Sequence, residues 1–148
     1  REQILLPNAI SYNAVVSACE KGKQPELALE LLQSIWRQGL TPDVITYNAV
    51  ISAQEKGNKP RRALELLQPM RQQGLDPDMM TYNAAIRACS SSELWEQALE
   101  LFRGIYWNRL VPEVITYCAM ISACEKVEQW ERALELLQGM RREGIRPN

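Results

Sequence analysis

The side chains in this chain that could do chemistry are carboxylates, thiols and amides, and each kind recurs along the chain instead of converging. There is no histidine, which removes Ser-His-Asp and Cys-His relays, and no glycine-rich phosphate loop is present. Glu30, Glu65, Glu100 and Glu135 return every 35 residues, the pattern of a solvated helix face and not of an acid/base pair. Cys19, Cys89 and Cys124 occupy equivalent places in the same period, where the second unit has Gln54. Equivalent positions on packed helices lie roughly 10 Å apart, beyond the limit of about 7 Å between the Cα atoms of a disulfide. Cys118 and Cys124 share one helix but face different ways. With neither Cys-x-x-Cys nor histidine, the expectation is buried free thiols, no metal, no cofactor and no enzyme.

The elements that carry these groups are read from a ten-residue phrase, Val44 to Ala53. Its tyrosine recurs as Tyr12, Tyr47, Tyr82 and Tyr117, always 35 residues apart. Val44, Tyr47, Val50 and Ile51 form one helical stripe, while Ile45 and Asn48 lie together on another. Asp43, just before the phrase, suits an N-cap. A second amphipathic helix follows in every unit, marked by Ala28, Leu31, Leu32 and Ile35, by Ala63, Leu66, Leu67 and Met70, and by their equivalents from Ala98 and Ala133. Pro25 and Pro60 suit the first turn of that helix, and Gly39 and Gly74 its left-handed end. Pro69 falls inside the second helix of unit two and predicts a kink on the outer layer.

Units three and four depart from this regularity. Ser90-Ser91-Ser92 replaces Glu-Lys-Gly, and Asn108-Arg109 stands where glycine is expected, so Asn108 is expected to take the left-handed conformation. Tyr106 and Trp107 make the end of that helix aromatic. In unit four Cys118 replaces the recurring asparagine and Val127 the interhelix glycine.

The chain has 148 residues, 46% of them apolar, and a net charge of −1. So balanced a charge argues against a sequence-blind electrostatic binder of nucleic acid. No run of about 18 apolar residues predicts a membrane span. Helix pairs of this size cannot bury their apolar faces alone, so units 9–43, 44–78, 79–113 and 114–148 are expected to stack, first helices lining one surface and second helices the other. Residues 1–8 end in Pro-Asn, as do residues 141–148, and read as the tail of a preceding repeat in a longer array.

Thr46-Tyr47-Asn48, Ala63-Leu64-Glu65-Leu66-Leu67, Gly74-Leu75-Asp76-Pro77-Asp78 and the 35-residue period together resemble the pentatricopeptide repeat family over the whole chain. The resemblance implies an all-α fold, a right-handed α-solenoid of helix-turn-helix repeats. It also implies sequence-specific recognition of single-stranded RNA at one base per repeat, in a chloroplast or mitochondrion. Base-reading pairs carried over on that resemblance are Asn13 with Asp43, Asn48 with Asp78, Asn83 with Glu113, and Cys118 with Asn148. An asparagine amide offers a donor and an acceptor to a pyrimidine edge, and a carboxylate beside it favours uracil, whose N3–H donates, over cytosine. The implied core is U-U, a looser U at Glu113, and a fourth base leaning to adenine, running 5′ to 3′ along increasing residue number.

By the same resemblance Ile10, Ile45, Met80 and Ile115 sandwich the bases, and Lys21, Lys56 and Lys126 contact phosphates. Each position has a plainer reading. Asp43, Asp78 and Asn148, with its predecessor Asn8, suit helix caps, Glu113 poorly; the apolar four pack between units, and the lysines sit solvated beside Glu20, Glu55 and Glu125. A second function is also open, a scaffold subunit of a protein complex docking through Trp36, Tyr106 and Trp107, because aromatic side chains are common interface anchors.

Overall fold

The computed structural model describes residues 5–146. Among them the regular structure is helical: α1 (Ala9–Lys21), α2 (Pro25–Arg37), α3 (Val44–Lys56), α4 (Pro60–Glu65), α5 (Leu67–Gln72), α6 (Met79–Ser90), α7 (Trp95–Trp107), α8 (Val114–Lys126) and α9 (Trp130–Arg142). α1, α3, α6 and α8 stack on one another in chain order, and α2, α4 and α7 each pack on the first helix of their own unit and of the next. The result is a row of helix pairs with a thin continuous core.

Local sequence sets where each helix starts. Asp43 and Asp78 accept from the backbone N–H of Thr46 and Thr81 at 2.8 and 3.0 Å, and each threonine hydroxyl accepts from the N–H of its capping aspartate. Asn8 caps α1 through Ser11 at 2.9 Å. Pro25 and Pro60 occupy the first turns of α2 and α4, where the missing donor leaves no bond unmade.

The tyrosine stripe forms the spine of the core. Tyr47 and Tyr82 are fully buried and Tyr117 nearly so, beside Leu32, Ile35, Met70, Ile86 and Ile105. Tyr82 and Tyr117 rest on the second helix of their units. A Cβ built on Gly104 would lie 3.3 Å from the Tyr82 ring, and one on Gly139 would lie 3.8 Å from Tyr117. That contact accounts for small residues at a mid-helix position. Unit two has Pro69 there, and its second helix is interrupted at Leu66, whose ψ is −19°, splitting α4 from α5. The expected kink is present, three residues before the proline, next to the Glu65 carbonyl that proline leaves without its usual donor.

The left-handed positions differ from expectation in unit three. Gly39, Gly74 and Gly144 have φ of 70°, 76° and 72°. In unit three Arg109 takes this conformation at φ 57°, whereas Asn108 stays at φ −87° as the C-cap. Asn108 instead spends its amide on the Gly104 carbonyl (2.8 Å) and the Tyr82 hydroxyl (2.6 Å). A Cβ in this region costs about 1 kcal/mol, so Arg109→Gly should stabilise the fold by about that much. Urea denaturation checks this as a raised midpoint at constant slope.

The interhelix glycines serve close approach and not φ. Gly57 has φ −82°, but a Cβ on it would lie 2.5 Å from Pro25 Cγ. Gln54, at the place held elsewhere by cysteine, donates to the Pro25 carbonyl at 2.7 Å across the same junction. Cys19, Cys89 and Cys124 are buried free thiols and Cys118 is exposed. Burial pushes the Cys89 thiol up to about 12 and raises Cys19 and Cys124 as well, which leaves all three unreactive.

Candidate functional site

The first helices bring the recurring amides into one row. Asn48, on α3, is 8% exposed, and its Nδ2 donates to Asp78 Oδ1 at 3.0 Å, across the boundary between α3 and the cap of α6. Asn13 faces Asp43 in the same way but more loosely, at 3.4 and 3.5 Å from the two carboxylate oxygens. Asn83 and Glu113 form no hydrogen bond with each other; among the described residues the side chain of Asn83 is held by Thr116, whose hydroxyl donates to its Oδ1 at 2.7 Å. Cys118 is exposed at the end of the row. Its sequence partner Asn148 lies outside the described residues.

Three threonines, Thr46, Thr81 and Thr116, complete this row. Thr46 and Thr81 donate to the amide oxygens of Asn13 and Asn48, both at 2.5 Å, as Thr116 does to Asn83. Their signal in the sequence is recurrence one residue before the tyrosine in units two, three and four. The contact is missed because each threonine bonds the asparagine 33 residues earlier, in the preceding unit.

Electrostatics keep Asp43 anionic near neutrality. Partial burial pushes the Asp43 carboxyl up, but hydrogen bonds from the Thr46 N–H, the Thr46 hydroxyl and the Asn13 amide outweigh it and hold the group below its ordinary value. Asp43 is therefore an acceptor at pH 7.

Beside each amide stands an exposed apolar side chain. Ile10, Ile45, Met80 and Ile115 are 78%, 68%, 69% and 53% exposed, one per unit, on helices whose opposite stripe is buried. This overturns the plainer reading that they pack between units. Aspartates 43 and 78 do cap their helices, and they face the amides with the same carboxylates. Glu113 starts α8 with a backbone N–H bond to Thr116 at 3.1 Å.

The lysines divide. Lys21 and Lys126 are exposed. Lys56 is paired across the unit boundary with Glu20 at 2.8 Å, and Ser52 donates to the same Glu20 oxygen at 2.9 Å. Glu20 is pushed up by burial, yet the bonds from Lys56 and Ser52 hold it below its ordinary value. Glu55 repeats the arrangement with Arg87 of the next unit at 3.5 Å. The pairs thus join neighbouring units, in place of the sequence-adjacent pairing expected of solvated lysines.

The aromatic candidates also divide. Tyr106 donates to Glu143 at 2.7 Å, lies 3.1 Å from the Tyr117 hydroxyl and meets Phe102 edge to face. Burial, with those two hydrogen bonds, raises its pKa. Its role in the structure is to tie unit three to unit four. Trp36 and Trp107 are exposed, Trp107 at 83%. Trp107 borders a groove of about 1080 Å³ between α5 and α7, lined also by Leu64, Arg71, Tyr82 and Arg103. A smaller cavity of about 410 Å³ lies between α7 and α9, beside Trp95 and Arg132. Neither contains the amide row. Among the described residues no helix is long and apolar enough to cross a membrane, and no cluster of side chains fits a metal ion.

Comparison with known proteins places these features in context. The pentatricopeptide repeat domain family matches residues 30–92, and the PPR repeat family matches residues 10–40, 80–106 and 115–145. Similar solved structures include the pentatricopeptide repeat protein PPR10 in complex with an 18-nt psaJ RNA element, 30% identical with a TM-score of 0.86 over 99% of this chain and 22% of that one. PPR10 from maize is 26% identical with a TM-score of 0.83, over 97% of this chain and 20% of that one. The PPR domain of Arabidopsis thaliana protein-only RNase P 1, in complex with tRNA, is 14% identical with a TM-score of 0.82, over 95% of this chain and 75% of that one. At that identity the last likeness concerns the fold alone. The chain spans about a fifth of the length of PPR10. No curated protein matches the sequence.

Proposed function

The chain belongs to the pentatricopeptide repeat family, and from that premise and the geometry of the amide row we propose that it binds single-stranded RNA, reading one base per unit. The observation that carries this reading is the set of four exposed apolar side chains, Ile10, Ile45, Met80 and Ile115, set one per unit beside the amides. Exposed apolar groups at a regular spacing suit the faces of unstacked bases. One base would lie between Ile10 and Ile45, the next between Ile45 and Met80, the third between Met80 and Ile115.

Specificity follows from the donors and acceptors left over. In unit two one Nδ2 proton of Asn48 goes to Asp78, leaving the other for a base carbonyl, while the carboxylate keeps lone pairs for an N3–H. Uracil satisfies both. Cytosine would set its unprotonated N3 against a carboxylate. The proposed preference is U-U at units one and two, a weaker U at unit three, where Glu113 does not bond Asn83, and adenine at unit four. The proposed role is binding and not catalysis, in the RNA metabolism of a chloroplast or mitochondrion.

The test is fluorescence anisotropy of the chain with short RNAs carrying U-U or C-C opposite units one and two, at two salt concentrations. The expected result is a U-U preference of about tenfold, the scale of one discriminating base contact, that persists at the higher salt. Equal binding that vanishes with salt would sink base reading. It would favour the second reading, a protein scaffold, which rests on the exposure of Trp107 beside its groove.

A further inference from the structure

Each asparagine amide of the row can point two ways, and a half-turn exchanges its donor with its acceptor. Recognition of a base edge needs one of the two. Resting on the RNA-reading proposal, we infer that Thr46, Thr81 and Thr116 are positioning residues that fix the orientation of the reading amide in the preceding unit. Each base is then read by a group whose orientation is set by the following unit.

The chemistry leaves one arrangement. All three threonines are buried, and each hydroxyl oxygen accepts from the N–H of the capping residue, Asp43, Asp78 or Glu113, at 3.3, 3.1 and 3.1 Å. Each hydroxyl proton is therefore free to donate outward. For the amides of units one and two it has two acceptors, the amide oxygen at 2.5 Å and the aspartate Oδ1 at 2.8 or 2.9 Å. That carboxylate oxygen already receives a backbone N–H, and, being acceptor-only, it requires Nδ2 of the amide to face it. The amide oxygen is left for the threonine. In unit three the argument is stricter. Among the described residues the Thr116 hydroxyl makes no hydrogen bond to the Glu113 carboxylate, so its buried proton has Asn83 Oδ1 as its acceptor, at 2.7 Å. Thr116 alone orients Asn83, whereas Asn48 is held by Thr81 and Asp78 together.

That asymmetry makes the inference testable apart from the reading beneath it. The chain and its Thr116→Val, Thr116→Ser, Thr81→Val and Asn83→Ala variants are titrated by anisotropy against RNAs that carry U or C at base two or base three. Thr116→Val should bring the U-over-C ratio at base three to about one, Thr116→Ser should keep it, and Thr81→Val should lower the ratio at base two by only about twofold to threefold, a part of one base contact. Asn83→Ala should abolish the preference at base three.

If Asn83→Ala abolishes that preference while Thr116→Val leaves it intact, amide reading stands and the positioning role falls. A loss at bases two and three alike in Thr116→Val marks a general structural defect and also overturns it. If the unsubstituted chain shows no preference at either base, the RNA-reading proposal fails, and the inference with it.

Discussion

Asn48→Thr combined with Asp78→Asn should turn the preference of unit two from uracil to adenine, by about tenfold or more, the scale of one well-formed base contact. The double change acts on both halves of the pair. Thr is shorter than Asn and makes room for a purine. An amide at position 78 replaces a group that can only accept, so it offers a carbonyl to the adenine N6–H and an N–H to N1. The N-cap of α6 should be kept, because Asn caps a helix about as well as Asp and the Thr81 N–H it must satisfy is unaltered. Anisotropy with RNAs differing only in base two gives the answer. An unaltered uracil preference would mean that the Asn48 and Asp78 pair does not read the base.

Tyr82→Ala and Ile45→Ala should separate folding from binding. Tyr82 is fully buried, rests on the backbone at Gly104 and accepts from Asn108. Its removal leaves a ring-sized cavity between α6 and α7 and takes away the hydroxyl that the Asn108 amide bonds, for a loss of about 3–5 kcal/mol. Ile45, on the neighbouring first helix, is mostly exposed. Truncating it should leave the urea midpoint within about 0.5 kcal/mol of the original, yet weaken RNA binding by about tenfold, since in the proposed arrangement it would face two bases. If Ile45→Ala destabilised the chain and bound RNA normally, the exposed stripe would be a packing surface after all.

How much of this was legible depends on the distance over which each residue acts. The helices were readable because their causes are local. The tyrosine stripe, the caps Asp43 and Asp78 and the proline starts all operate within one or two turns. Pro69 likewise declared its kink. The conformation at Asn108 and Arg109 was misassigned because asparagine tolerates positive φ better than arginine. The register of the turn, set by the last helical hydrogen bonds, outweighed that preference, and Asn108 found a better use for its amide on Tyr82. The reason for the interhelix Gly57 is equally remote, Pro25 of the preceding unit. What the sequence hid most completely were contacts 30 to 36 residues apart, such as Thr81 on Asn48 and Lys56 on Glu20. No helical periodicity carries that spacing. It emerges only once the pairs are stacked.

The pairing of Lys56 with Glu20 has a thermodynamic consequence for any polyanion that lies along the row. Binding of RNA by a cation gains much of its favourable entropy from small ions released into bulk solution. A lysine whose charge is already matched by a carboxylate 2.8 Å away holds few such ions to release, and capturing a phosphate there would first uncover Glu20. Among the described residues Lys21 and Lys126 form no ion pair within 4 Å. Ion release would therefore be concentrated at the two ends of the row, and the middle would be held by hydrogen bonds and apolar contact, forces that ionic strength scarcely touches.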